Sequence, residues 1–285
     1  MDLRTLNYFV AVAEELHFGR AATRLHLTQP PLSRAIKQLE TELGCLLLRR
    51  SPAGVALTPA GTTLYDEAKT LLARADQVRA RVAAAAGADT VTVGTLAELA
   101  DARLVTVFRD RHPGVNVRIR EADLTDPTVG LRAGLVDVAL TRAPFDDTGI
   151  VTRVLRTDPI GVVLRTDDPL AGCDCLGFDD LADRRCVQLP EGTDPVWRAF
   201  WNGPADGSRH RDGPVVRTVH ECVQSVLWNG AVGLTPMIDT LPEGLISVPL
   251  NDMPPSRLVV AWAGGNPSPL VRSFVQIAAG LYRTG

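Results

Sequence analysis

The sequence has no apolar run that approaches the ~18 residues needed to cross a bilayer. Its first residues, MDLRTLNYFVAVAEEL, place an acid at position 2 and run directly into an amphipathic helical pattern, unlike a signal peptide. We therefore expect a globular, cytoplasmic protein with no membrane partner.

Cysteine is scarce and odd in number, with five in 285 residues, which argues against a disulfide framework. Cys173-Asp174-Cys175 is C-x-C rather than C-x-x-C, and no nearby histidine or second cysteine pair completes a zinc site. Cys186 and Cys222 lie in apolar stretches typical of core thiols. No metal and no cofactor are expected, and a redox-active thiol is kept as an alternative.

A catalytic constellation is missing as well. The five histidines are scattered, and His220-Glu221-Cys222 lacks the downstream Pro-Cys-x-x-Cys of a zinc deaminase. Asp126 and Glu191 are poor candidates for an acid–base pair. The sequence therefore predicts a binding protein rather than an enzyme.

Charge is unevenly distributed along the chain. Residues 1–88 carry 11 basic and 8 acidic side chains, net +3, whereas residues 89–285 carry 19 and 25, net −6. A mildly basic head on an acidic body suits a protein that touches DNA with one end. The head is weakly charged, which favours an oligomer that presents several heads.

The stretch FGRAATRLHLTQPPLSRAIKQLETELGCLLLRR, residues 18–50, has the order of elements of a helix-turn-helix. Ala21 and Ala22 are small enough for two short helices to approach closely. Thr28 is the predicted N-cap of the second helix, and Pro30 and Pro31 follow in its first turn, where proline costs little. The apolar stripe of that helix recurs at spacings of 4, 3 and 4: Leu32, Ile36, Leu39 and Leu43.

The other face of this helix carries side chains suited to a base edge. Gln29, Ser33 and Lys37 share that face, flanked by Pro30 and Arg34; Gln pairs with adenine and Arg with guanine. An ordinary amphipathic helix with a solvated polar face is the alternative. The preceding short helix and turn favour the DNA interpretation.

Two short strands and a long helix follow. Cys45–Leu48 and Val55–Leu57 flank a turn at residues 51–54 and predict a hairpin wing, where Arg49 and Arg50 are placed to contact phosphates. Thr58 and Pro59 mark the start of the long helix. Its apolar residues alternate at spacings of 4 and 3: Leu64, Ala68, Leu71, Ala75, Val78 and Val82. This is typical of a coiled-coil seam; we expect a dimerisation helix, the alternative being a helix packed on its own domain.

The pattern AAxxLHxxQPPLSRxIxxLExELG, followed by a wing and a Thr-Pro-Ala-Gly turn, resembles the N-terminal domain of LysR-type transcriptional regulators. The QPPLS form is similar to the branch that controls aromatic-compound and catechol degradation. Arg20 departs from the small Ser or Thr common near that position and is expected to add a phosphate contact. The segment LRAGLVDVAL before Thr141 resembles the LxxGxxDxAL segment of the effector domains of this family.

From residue 90 the pattern alternates between strands and helices. Predicted strands are 91–95, Val115–Glu121, Val136–Thr141, Ile160–Arg165, Arg185–Leu189, Val232–Thr235 and Leu258–Ala263. Predicted helices are 97–110, Thr128–Gly134, Asp194–Trp201, Glu221–Asn229 and Leu270–Ala279.

The fold class is therefore α/β: a winged helix-turn-helix with a long dimerisation helix, then a two-lobed, periplasmic-binding-protein-like effector domain. We expect the DNA-binding domain at 1–58, the linker helix at 59–88, with a hinge at 83–89, and the effector domain at 89–285. Lobe I would comprise 89–160 and 257–285, and lobe II 161–256.

Ligands of open α/β sheets bind outside the carboxyl ends of strands, near helix N-termini. This selects a set of candidate effector contacts: Gly94, Thr95, Leu96, Leu124, Thr125, Arg142, Pro190, Thr193, Trp197, Thr235 and Pro236. Arg142 could equally form an ion pair with Asp146 or Asp147, and Trp197, like Trp228, is more often a core residue in such helices.

The resemblance implies double-stranded DNA with an inverted repeat, a small anionic effector, further copies of the chain as a dimer or tetramer, and RNA polymerase as partners. Gln29, Pro30, Ser33 and Arg34 would read bases. Thiol-based redox sensing is the main alternative within the family. A solute-binding protein shares the two-lobed fold but not the helix-turn-helix.

Overall fold

The computed structural model describes residues 1–25, 27–51, 54–85, 90–96, 102–202, 213–237, 241–265 and 267–282. The chain divides into two compact units, Met1–Val82 and Ala83–Gly285. None of the helices within the described ranges is long and apolar enough to cross a membrane.

The first unit is a winged helix-turn-helix. Its helices are α1 (Leu3–Glu15), α2 (Phe18–Arg24) and α3 (Gln29–Leu43), and the wing is an antiparallel pair of β1 (Leu48–Ser51) and β2 (Gly54–Leu57). Helix α3 begins at Thr28, which caps it without a side-chain hydrogen bond, and ends at Gly44 in the left-handed conformation. The three helices bury Phe9, Ala21 and Leu32 in a shared core.

Helix α4 (Pro59–Ala85) starts against the head. The Thr58 hydroxyl donates to Leu46 O (2.7 Å) and accepts from Gly61 N (2.9 Å), which confirms the predicted N-cap. Ala68 is fully buried against Leu6 and Val10 of α1. The first turns of α4 thus pack on their own domain, which was the alternative to a dimerisation helix.

Further along α4, the seam residues are exposed in the single chain. Leu71 is 44% exposed, Val78 54% and Val82 64%. Exposed aliphatic side chains at this spacing favour a second helix that covers them.

Lobe I of the second unit is a five-stranded sheet in the order β4-β3-β5-β10-β6. Its strands are β3 (Thr90–Leu96), β4 (Asn116–Ala122), β5 (Val138–Ala143), β6 (Ile150–Asp158) and β10 (Ser256–Ala263). β3 runs parallel to β4 and β5, and β10 is antiparallel to β5 and β6. Helices α5 (Ala102–Arg111) and α8 (Pro269–Leu281) cover one face.

Lobe II is built on a three-stranded antiparallel sheet in the order β8-β7-β9. Its elements are β7 (Ile160–Arg165), α6 (Pro195–Asn202), α7 (Val219–Asn229), β8 (Gly233–Pro236) and β9 (Leu245–Pro249), with 3-10 turns at Pro169–Gly172 and Phe178–Leu181. The chain passes between the lobes twice, after β6 and before β10.

Several predicted elements are wrong in extent or kind. Residues 128–134 form turns rather than a helix, and residues 185–189 make only isolated bridges. The first wing strand begins at Leu48 instead of Cys45. Strands β6 and β9 were not predicted, and Leu43 of the predicted apolar stripe is 40% exposed. Parts of the predicted helix at 97–110 and hinge at 83–89 lie outside the described residues.

Candidate functional site

The exposed face of α3 presents the predicted DNA-reading side chains together. Gln29, Pro30, Arg34 and Lys37 are exposed, and Pro31 and Ser33 are half-buried. A groove of about 720 Å³ runs between this face and the start of the wing. It is lined by Ser33, Arg34, Lys37, Glu40, Thr41, Gly44, Cys45, Leu46 and Leu48.

Glu40 fixes the wing to the recognition helix. Its Oε1 accepts hydrogen bonds from Leu47 N (2.9 Å) and Leu48 N (3.2 Å). Arg49, the next residue of β1, is exposed; the side chain of Arg50 lies outside the described residues. The wing and α3 are thus held together as one surface.

Arg20 stands at the exposed surface of α2 but has protein partners. Its guanidinium lies 3.4 Å from Glu15 Oε2 and also donates to Glu15 O. Arg24 joins the same cluster at 2.7 Å from Glu14 Oε2. A phosphate at Arg20 would therefore compete with Glu15.

A cavity of about 1400 Å³ lies between the two lobes of the second unit. Lobe I contributes residues 125–128, Arg132 and Ala133, and lobe II contributes residues 188–195, 198, 199, 202 and 215. Its apolar lining includes Leu189, Pro190 and Ala199. A cavity of this size and mixed lining accommodates a small organic metabolite.

The lobe I wall is a loop organised by one carboxylate. Asp126 accepts from Thr128 N (3.0 Å), Thr128 Oγ1 (2.5 Å) and Gly130 N (2.7 Å). The buried Val129 is held at φ 55°, a strained conformation for a β-branched residue. A Cβ on Gly94 would lie 2.6 Å from Val129 Cγ1, so glycine is required there.

The lobe II wall is one face of α6. Pro195, Arg198, Ala199 and Asn202, at positions i, i+3, i+4 and i+7, line the cavity. Asp194 caps the helix by accepting from Val196 N and Trp197 N, both at 3.0 Å. The opposite face of α6 carries its tryptophans into the protein.

Helix α6 also ties the lobes together. Trp197 is 2% exposed and packs among lobe I residues such as Leu96 and Val129. Its Nε1 donates to Leu124 O (2.9 Å), and Asp146 N donates to the Asp194 carboxylate at 3.1 Å. The cavity is therefore closed on one side by direct contacts between lobes.

Two polar groups in this wall have no partner within the described residues. Thr193 is 5% exposed, and its Oγ1 makes no hydrogen bond. Arg198 Nε is buried and equally unpartnered. Buried donors left in this way are rare and call for an explanation.

Of the predicted effector contacts, Thr125, Pro190 and Thr193 line the cavity. The others do not: Gly94, Thr95, Leu96, Leu124, Arg142, Trp197, Thr235 and Pro236. Leu124 and Trp197 instead connect the lobes. Trp228 is 80% exposed, so it belongs neither to the cavity lining nor to the core.

Arg142 faces the side of the sheet opposite the cavity. Residues two and four positions earlier on β5 pack in the core under α5 and α8, and side chains alternate along a strand. Arg142 is 5% exposed and lies 2.8 Å from Asp158 Oδ2, not beside Asp146 or Asp147. Burial lowers the pKa of Arg142, and the hydrogen bond to Asp158 opposes that effect. Its placement supports the structural role.

Sequence reasoning missed Arg132, Arg198 and Asn202. The signal for the last two was present in PVWRAFWN, where Trp197 and Trp201 mark one face of a short helix and Arg198 and Asn202 the other. Arg132 lies in the segment predicted as a helix.

The five cysteines differ in their exposure to solvent. Cys45, Cys173 and Cys175 are exposed, and Cys186 is buried. Burial raises the pKa of Cys222 to about 11. Within the described ranges, no three His, Cys, Asp or Glu side chains are grouped to hold a metal ion.

Two family models match the chain. One, described as bacterial regulatory helix-turn-helix protein, lysR family, matches residues 3–62, and the other, described as LysR substrate binding domain, matches residues 84–282. The chain belongs to the LysR family. It is a DNA-binding transcriptional regulator with an effector-binding domain and not an enzyme.

Known LysR-family proteins are similar to it over most of their length. It is 38% identical over 204 residues to the HTH-type transcriptional regulator ShiR of Corynebacterium glutamicum, covering 70% of this chain and 69% of ShiR. The crystal structure of full-length BenM (Acinetobacter baylyi) is 27% identical with a TM-score of 0.55, covering 100% and 97%. A full-length OxyR variant from Pseudomonas aeruginosa is 26% identical with a TM-score of 0.53, covering 99% and 100%.

Proposed function

We propose that this LysR-family regulator binds an inverted repeat at a promoter and responds to a small anionic metabolite held between its lobes. The observation that carries the proposal is the position of the cavity. Its walls come from both lobes, so a bound ligand would stabilise one arrangement of the lobes over another. The resemblance of the QPPLS motif to the branch that controls aromatic-compound degradation favours an acid of that metabolism.

On DNA, we propose that recognition helices from two copies enter successive major grooves. Gln29, Pro30, Ser33 and Arg34 read bases. Thr28, Pro31 and Lys37 lie beside them on the same surface. Arg20, Arg49 and Arg50 contact the phosphate backbone.

Assembly follows from the exposed seam of α4. Two chains pair through this helix, and two pairs form a tetramer in the cytoplasm. A ligand-driven change between two tetramer arrangements alters DNA bending and contact with RNA polymerase. The boundaries 1–58, 59–88 and 89–285 are those we propose for the three parts.

Footprinting tests this function. The probe is the intergenic region upstream of the gene, with and without benzoate or cis,cis-muconate. We expect a protected inverted repeat whose length changes with an acid. No protection even at low salt, where phosphate contacts are strongest, would contradict DNA reading by α3.

Redox sensing is the second candidate, because OxyR is a relative and three cysteines are exposed. Footprints are compared before and after treatment with peroxide and after thiol alkylation. A footprint that responds to peroxide, and to no acid, would replace metabolite sensing.

A further inference from the structure

We propose that Thr193 and Arg198 form an oxyanion site in lobe II that receives a carboxylate of the effector. The proposal rests on the proposed function, since it specifies how the cavity between the lobes binds an acid. It places the acid group on α6 rather than at the strand ends of lobe I.

Both groups have hydrogen-bonding capacity that no described residue uses. Thr193 Oγ1 is buried and without a partner among the described residues, although Thr193 lines the cavity. Arg198 Nε has no partner there either and belongs to the same wall. A hydroxyl and a guanidinium N–H both donate, and a carboxylate oxygen accepts from both.

Other charged side chains of the cavity already have partners within the protein. Asp126 is occupied by three donors of its own loop, and Asp194 caps α6 and binds Asp146 N. Arg132 is paired with Asp146 at 3.3 Å. Arg198 makes no ion pair with any described residue, so it is the cation in this wall that is left for a ligand.

Apolar side chains of lobe II also line the cavity. Leu189, Pro190 and Ala199 surround the oxyanion site with apolar surface, and Glu191 stands exposed at the rim. Apolar lining beside a cation that has no ion-pair partner among the described residues fits an organic acid with an unsaturated or aromatic body better than an inorganic ion.

The experiment measures binding to the full chain by titration calorimetry. The probes are benzoate, 4-hydroxybenzoate and cis,cis-muconate, with benzamide as the uncharged analogue. We expect at least one acid to bind and benzamide to bind roughly tenfold or more weakly, since charge-assisted hydrogen bonds are lost. Inorganic phosphate and sulfate distinguish an organic acid from a site for any oxyanion.

Variants assign the effect to the proposed groups. Arg198→Met keeps the aliphatic length of the side chain and should weaken the acid roughly tenfold or more; Thr193→Val should weaken it by a smaller factor. Glu191→Gln should leave binding equal or tighten it. Arg132→Met is the matched control, because Arg132 lines the same cavity but is paired with Asp146. It should change the affinity for the acid less than Arg198→Met does.

The outcomes separate the two proposals. If an acid binds and changes the footprint but Arg198→Met binds it equally, the oxyanion site is wrong and the regulatory function stands. If benzamide binds as tightly as benzoate, the site does not recognise charge. If none of the acids or inorganic anions binds, both the oxyanion site and an anionic effector are excluded. Circular dichroism confirms that each variant is folded.

Discussion

Two glutamines of α3 show that the position of a side chain on a helix decides what it can contact. Gln29 and Gln38 lie on the same helix, nine residues apart, and both are exposed. At 100° per residue they point to opposite sides of α3. Only the position of Gln29 at the start of the recognition helix makes it a candidate for base reading.

Gln29→Ala should therefore weaken the cognate site by ~1–3 kcal/mol and relax selectivity at one base pair. Gln38→Ala is the matched control and should bind like the unaltered chain. Fluorescence anisotropy with cognate and scrambled duplexes measures both. An equal loss on the two duplexes would assign Gln29 to the backbone instead of a base.

The partly buried thiol of Cys222 gives a second prediction at this scale. Because burial raises its pKa to about 11, the group remains a thiol at pH 8, and the thiolate is the form that reacts. Iodoacetamide at pH 8 should label the exposed Cys175 quickly and Cys222 slowly, with the rate at Cys222 rising as the pH approaches 11.

Peptide mass spectrometry measures the labelling of each cysteine. Unfolding in urea should make Cys222 react as fast as Cys175. The raised pKa of Cys222 also makes the free energy of unfolding depend on pH. The contribution of the neutral thiol is present below the ordinary thiol pKa and is lost as the pH rises from there through 11. Equally fast labelling in the native protein would show that Cys222 is accessible, and would reopen it as a redox site.

At the scale of elements, short-range patterns were predicted well and long-range pairings poorly. Helix α3 and the start of α4 follow from caps and helical spacing, which are local. Strand β6 is absent from the prediction because its polar residues, among them Arg153 and Arg156, make IVTRVLRTD resemble a polar loop, although β10 pairs with it. The helix predicted around Val129 is wrong because the hydrogen bonds of that turn depend on Asp126, which no periodicity records.

The cavity was predicted in part for the same reason. Strand ends identify a ligand edge, and Thr125, Pro190 and Thr193 do line the cavity. Arg142 also follows a strand end in sequence, yet strand alternation turns it towards α8. Which face a strand residue takes depends on the packing of the whole lobe.

Helix α6 provides a prediction about how the lobes are held. Trp197→Phe keeps an aromatic ring against Trp201 (centroids 5.3 Å apart) but removes the hydrogen bond to Leu124 O. The effector domain should lose about 1–3 kcal/mol of unfolding free energy because a buried carbonyl is left unsatisfied.

Urea denaturation followed by circular dichroism measures the change. Trp228→Phe is the control, since Trp228 is 80% exposed and its Nε1 donates to Gln224 on its own helix. That variant should lie within about 0.5 kcal/mol of the unaltered chain. Equal effects of the two substitutions would mean that the hydrogen bond between the lobes contributes nothing to the free energy of unfolding.

At the scale of the whole molecule, the single chain leaves aliphatic surface of α4 uncovered. Val78 and Val82 are more than half exposed on α4. Each buried valine side chain contributes about 1.5–3 kcal/mol. Pairing of α4 between two chains would bury four such side chains and align two recognition helices.

The double variant Val78→Ser, Val82→Ser should raise the dimer dissociation constant roughly a hundredfold or more and reduce binding to an inverted repeat. Asp66→Ser, at an exposed position off the seam, should change neither. Sedimentation velocity across a concentration series measures assembly. A variant that remains dimeric would move the interface to another surface.

The placement of α6 has a practical consequence for biosensor engineering. By chain order the helix belongs to lobe II, yet its Trp197 side chain is buried in the hydrophobic cluster of lobe I. A hybrid regulator that receives lobe II from a homologue would also receive that homologue's α6. The side chains of this helix would not fit the hydrophobic cluster of the original lobe I. Ligand preference and lobe I packing must therefore be exchanged together, with junctions on either side of the complete effector domain.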